Sequence, residues 1–187
     1  MNKLLLVFVA ALMTSGAFAQ TGDKPTAGTF GLTAEVSYGS HSVGAVYYAT
    51  PNLVIAPSLG FESTTEKVKT STTSTDYPDS TPLIGAGLYY EIAPFEGLSF
   101  DLGPFLSYSN RTWKQSSGDT WTLSTLTLDA NLIVKVQLTK NVAVFSTFGG
   151  YYQTTDQKDT TDSSANEYMY SYFGIQTGSL GITYYLR

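Results

Sequence analysis

His41 is the only histidine among 187 residues. Beside a serine and an acid it could activate a hydroxyl nucleophile, and Asp79-Ser80 supplies both partners. That chemistry requires a first loop, Gly39-Ser40-His41, to converge with a second at Asp79-Ser80. A lone loop histidine among abundant serines is also what composition alone provides. The sequence therefore assigns no catalytic residue, and the chain reads as non-enzymatic. One histidine excludes a multi-histidine metal site. The absence of cysteine excludes disulfides, thiolate metal sites, a cysteine nucleophile and a lipid-modified N-terminal cysteine. Asp76, Asp79, Asp156, Asp159 and Asp162 could meet a cation, but their spacing fits no calcium loop. Their expected role is to solvate loops, and no metal or cofactor is predicted.

A second set of charges falls on the polar faces of alternating segments: Glu35, Glu62, Glu91, Asp101, Asp129, Arg111 and Lys135. These residues could line an ion path. In a narrow interior of low dielectric they must instead pair, which predicts a structural network in which Lys135 neutralises a buried acid. The net charge of −5 is mild and argues against nucleic acid as a partner.

The elements that position these charges are strands. The clearest runs from Thr125 to Leu138, with Leu126, Leu128, Ala130, Leu132, Val134, Val136 and Leu138 on one face. Thr125, Thr127, Asp129, Asn131, Lys135 and Gln137 share the other, and Ile133 alone breaks the alternation. A period of two over so long a run is a strand. Soluble strands average about five or six residues, whereas a tilted membrane strand needs about 9–11. The pattern recurs at Phe30–Tyr38, Val43–Ala49, Leu53–Glu62, Ile84–Ile92, Leu98–Ser109, Val142–Tyr152 and Tyr168–Leu186, for eight strands in all. The last slips near Gly178, where a bulge or glycine kink is expected. Pro57 and Pro104 fall inside strands and each removes a ladder donor.

Connectors alternate in length. Pro51-Asn52, Ala93–Gly97 and Thr139–Asn141 are short, while Ser63–Thr81, Lys114–Asp119 and Thr154–Glu167 are long and polar. Short turns at one end and long loops at the other is the pattern of outer-membrane barrels. Aromatic residues gather near strand ends. Tyr47, Tyr48, Tyr89, Tyr90, Phe95, Phe100, Tyr184 and Tyr185 lie toward the short turns. Tyr108, Trp113, Trp121, Tyr151, Tyr152, Tyr168, Tyr170 and Tyr172 lie toward the long loops. Two such bands are expected at lipid headgroups. Inward glycines at 31, 85, 87 and 103 could leave some space, yet eight strands enclose little more than their own side chains. No open channel is expected.

At the N-terminus Lys3, the apolar run Leu4–Met13 and Ala17-Phe18-Ala19 have the order of a secretory signal. Residues 1–19 are read as that signal and residues 20–187 as one domain, with the mature chain starting at Gln20. The whole describes an all-β, eight-stranded antiparallel up-and-down transmembrane barrel exported to the outer membrane. Its apolar face meets outer-membrane lipid, and its loops are free for an extracellular ligand. A lipocalin-like soluble barrel would reverse the faces, but its strands are shorter and a helix follows its last strand.

The signal, the alternating strands and the tyrosine-rich end Gly181-Ile182-Thr183-Tyr184-Tyr185-Leu186-Arg187 resemble the small outer-membrane barrels of the OmpX and opacity-protein kind. That resemblance covers the mature chain and is architectural. It implies a non-enzymatic barrel with a structural or surface-loop role. It also implies recognition of the last strand by the barrel-insertion machinery, although many members end in an aromatic residue and this chain ends in Leu186-Arg187. The alternatives are a barrel enzyme acting on lipid, or a narrow channel. Lipid A palmitoyltransferases share the barrel but begin with an amphipathic helix, and Gln20–Gly28 is too short and polar to form one.

Overall fold

A computed structural model describes residues 25–37, 40–69, 74–92, 97–114, 120–159 and 167–186. Eight strands follow one another: β1 (Phe30–Ser37), β2 (Ser40–Tyr48), β3 (Leu53–Lys69), β4 (Ser74–Glu91), β5 (Leu98–Lys114), β6 (Thr120–Thr139), β7 (Val142–Asp159) and β8 (Glu167–Leu186). Each pairs antiparallel with its sequence neighbours, and β1 closes on β8 from Phe30–Leu186 to Val36–Leu180. The result is a closed up-and-down barrel, with no helix among the described residues. Closure satisfies the backbone of a wall whose outer surface is apolar, because it leaves no sheet edge around the ring.

The alternation from Thr125 to Leu138 places Leu126 and Leu128 outside, exposed, and Thr125, Asp129, Asn131 and Lys135 inside, buried. Ile133 is inside too, where it packs against an apolar cluster. The two prolines leave visible gaps. The β2–β3 ladder skips from Gly44–Ser58 to Tyr47–Ile55, opposite Pro57, and the β4–β5 ladder skips from Gly87–Phe105 to Tyr90–Leu102, opposite Pro104. Each gap lies on the side to which the missing N–H would have pointed. At Gly178, with φ of 72°, β8 carries one extra residue between its pairings with Thr147 and Gly149. This is the expected bulge. It restores the inward row as Ser179, Gly181, Thr183 and Tyr185.

Several strands are longer than their alternation foretold. Ser63–Lys69 and Ser74–Thr81, expected as loop, form a ladder from Ser63–Ser80 to Lys69–Ser74. Thr154–Asp159 likewise continues β7, and Lys114 ends β5. Segments polar on both faces show no period of two, yet their threonines favour extended backbone and their ladders need no buried face. The wall is accordingly uneven. β1 and β2 stop at Ser37 and Ser40, whereas β5–β8 pair beyond Ser109 up to Lys114–Thr120, Trp121–Asp159 and Lys158–Glu167. β3 and β4 separate from β5 above Leu83–Ser109 and continue as their own ribbon.

Candidate functional site

The inward face differs between its two ends. Near the short turns, Tyr48 and Tyr185, each 1% exposed, stand edge to face with Val54, Tyr89 and Ala143 around them. Phe105, Val46, Ala56 and Ile133 complete this plug. The inward glycines explain how so many rings fit. A Cβ on Gly85 would strike the ring of Phe105, one on Gly87 the ring of Tyr89, and one on Gly181 the ring of Phe145. Gly31 is likewise covered by Val46 and Tyr185. The expectation that Gly31, Gly85, Gly87 and Gly103 could leave some space is therefore corrected: the first three vacate wall positions that neighbouring side chains occupy, and Gly103 lies against the backbone of Leu88.

One ion pair is set into the plug. Lys135 Nζ lies 2.5 Å from Asp101 Oδ2 and donates a hydrogen bond of 3.0 Å to Tyr48 Oη. The same ammonium stands 5.4 Å from the centre of the Tyr48 ring. Both charged residues are buried, so Lys135 does neutralise a buried acid as the sequence suggested.

Above the plug the packing opens. A cavity of about 410 Å³ extends toward the long hairpins, lined by Glu35, Glu62, Asp129, Tyr151, Gln153 and Tyr172 among others. A smaller cleft of about 150 Å³ continues past Glu62 and Tyr172 to Arg111 and Tyr170. The expectation that side chains fill the interior thus holds for one half only. The physical reason is composition: the plug half packs aromatic rings against glycines, while the upper half presents serine, threonine and glutamine beside the rings of Tyr151 and Tyr172. Glu35 accepts a hydrogen bond from Ser179 Oγ across the β1–β8 seam. The charged group that acts on Asp129 is Glu35, another carboxylate. The acids lining the cavity are therefore not neutralised alike: Asp101 has the ammonium of Lys135, while Asp129 faces a like charge.

His41 is not in a loop. It lies in β2, opposite Val36 and Phe61, exposed at the rim of the luminal cavity. Ser80 is an exposed residue of β4, and the Asp79 side chain lies outside the described residues. The backbone of Asp79 pairs with Thr64, three residues up β3 from the rung that holds His41. No histidine–serine–acid constellation is therefore assembled from described side chains. Asp156 and Asp159 belong to β7 instead of a loop, the backbones of Asp76 and Asp79 belong to β4, and Asp162 lies outside the described residues. Among the described residues no group of acids or histidine could hold a metal ion. At the far end of β7, Lys158 meets Glu167 at 2.8 Å and Asp156 at 3.4 Å. These two hydrogen-bonded acids hold its ammonium above the ordinary lysine value.

The outer face carries the remaining signal. Leu32, Val43, Ile55, Leu59, Ile84, Leu88, Leu102, Leu106, Leu128 and Ile182 stand exposed on every strand but β7, where Tyr152 is the exposed large side chain. Tyr47, Tyr90 and Tyr184 flank this band on the short-turn side. Tyr48, Tyr89 and Tyr185, expected beside them at the headgroups, point inward and form the plug. In a pleated strand, adjacent residues face opposite sides, so a Tyr-Tyr pair cannot place both rings outside. Phe95 lies outside the described residues.

Known structures share this architecture. The barrel is similar to a major outer membrane protein from Thermus thermophilus, with a TM-score of 0.51 and 15% identity over 84% of this chain and 98% of that one. It is similar to the N-terminal β-barrel domain of Pseudomonas aeruginosa OprF, with a TM-score of 0.51 and 14% identity over 87% of this chain and 100% of that one. The fold is that of outer-membrane barrels. No family model matches the sequence, and no curated protein matches it.

Proposed function

We propose that residues 20–187 span the bacterial outer membrane after removal of a signal at 1–19, as a non-enzymatic barrel whose outward contacts are made by its projecting hairpins. One observation carries this reading: the aliphatic band exposed on the outside of a closed wall, on seven of its eight strands. In water that band would be an exposed apolar surface far beyond the few hundred Å² that monomers tolerate, whereas in a bilayer it is the solvated face. Its partners are outer-membrane lipid along the wall, the barrel-insertion machinery at β8, and an extracellular ligand at the hairpin tips. Recovery of the protein with sarkosyl-insoluble outer membranes tests this, together with protease cleavage of whole cells at 70–73 or 160–166 that leaves the barrel intact. Recovery in a soluble periplasmic fraction would overturn the location, and cleavage only after lysis would invert the orientation.

The cavity favours a second reading, a narrow channel. Against it stands the plug, in which Tyr48, Tyr185 and the Lys135–Asp101 pair close the short-turn end. Planar-bilayer recordings are expected to show no steady porin-sized conductance. Neither His41 nor Ser80 supports an enzyme, and a lipid-modification assay on the purified protein is expected to be blank.

A further inference from the structure

Asp129 lines the luminal cavity with only 9% exposure, and among the described residues no hydrogen bond or ion pair to its carboxylate is found. A buried charge of this kind is costly unless a counter-charge reaches it. The neighbouring charged group, Glu35, has the same sign. Among the described residues, four carboxylates line the cavity, from Glu35, Glu62, Asp101 and Asp129, against the ammonium of Lys135. That ammonium is already committed to Asp101 and Tyr48. Arg111 lines the adjoining cleft beyond Glu62 and does not border the cavity itself. Among the described residues, the upper lumen therefore carries an excess of negative charge in a space large enough for a small organic molecule.

Going beyond the membrane reading, we propose that this cavity binds a small organic ammonium ion, with the carboxylates of Asp129 and Glu35 as counter-charges and Tyr151 and Tyr172 as its aromatic walls. An inorganic divalent ion fits less well, because no three-ligand set exists among the described residues. An organic cation needs no tight oxygen shell. It takes attraction from separated carboxylates and from the faces of aromatic rings, and tyrosine supplies both a π-face and a hydroxyl. Access is from the hairpin end. The wall is lowest at the β1–β2 tip, where Ser37 and Ser40 form part of the cavity rim.

The test uses the mature barrel, purified in micelles of a sugar-headgroup detergent, and titrates it with choline while NMR or calorimetry records binding. The uncharged isostere 3,3-dimethylbutan-1-ol serves as control. Saturable choline binding is expected, weakened at least about tenfold by Asp129→Asn and by Glu35→Gln and unchanged by Lys158→Gln, which is remote from the cavity. The isostere should not bind. Glu35→Gln keeps the test open should Asp129→Asn fail to fold, since Glu35 stands on the short β1 strand, away from the plug. Absence of saturable choline binding to folded protein would overturn the proposal, as would equal binding by both carboxylate variants and wild type, or by the isostere.

Discussion

The two halves of the lumen share one wall and one alternation, yet they use it differently. In the plug half, Gly85, Gly87 and Gly181 are each answered by a ring from an adjacent position, and the buried pair Lys135–Asp101 is capped by Tyr48. In the upper half, inward positions hold short polar side chains, carboxylates and the rings of Tyr151 and Tyr172 around a cavity. Side-chain volume decides the difference. Rings opposite glycines fill a barrel of this size, whereas serine, threonine and glutamine leave water-sized and larger space. A barrel of eight strands is thus neither inherently filled nor inherently hollow.

The largest effect that sharpens this contrast belongs to Lys135. Replacement by Met strips Asp101 of its counter-charge inside the plug and is expected to cost about 3–5 kcal/mol in urea unfolding from lipid vesicles. A cost below about 1 kcal/mol would mean that water already reaches the pair. Next comes the wall at cavity height. Leu128→Arg puts a charge into the lipid-facing band and is expected to cost about 2–4 kcal/mol. Its inward neighbour Thr127 borders the cavity, so Thr127→Arg should be far milder. Equal costs would show that the faces are misassigned. Gly85→Val drives two methyl groups into the Phe105 ring and should cost about 1–3 kcal/mol by overpacking. A second change, Phe105→Leu, is expected to recover part of that loss, and strict additivity in the double-mutant cycle would argue against ring-into-glycine packing. The smallest effect is at Asp129. Removing an uncompensated buried charge by Asp129→Asn should leave the melting temperature unchanged or raise it slightly. A large loss there would reveal a structural partner and erase the distinction between the halves.

Much of the wall was legible in the sequence because its signals are local. Thr125–Leu138 carries its two faces in its own alternation, and the phase slip at Gly178 marks a bulge because a single extra residue shifts every following side chain. The interior was less legible. Whether Asp129 or Asp101 meets Lys135 depends on strand stagger and on heights across the lumen, which no single strand encodes. Asp101 gains the ammonium, and the charge that acts on Asp129 is that of Glu35. The reach of the hairpins was missed for the opposite reason. Ser63–Lys69 and its partner strand are polar on both faces, so they pair without leaving a periodic trace.

The paired tyrosines carry one more consequence. Tyr47-Tyr48, Tyr89-Tyr90 and Tyr184-Tyr185 each send one ring outward and the next inward at the same height, like rivets driven through the wall from both sides. The outer rings favour the headgroup boundary, while the inner rings define the plug. Membrane depth and interior seal are thereby tied to the same three points. In a bilayer of different thickness, the barrel cannot slide to find its level without dragging the seal along. It has to tilt, or the lipid beside it has to stretch or thin to meet a line that the tyrosines have already drawn.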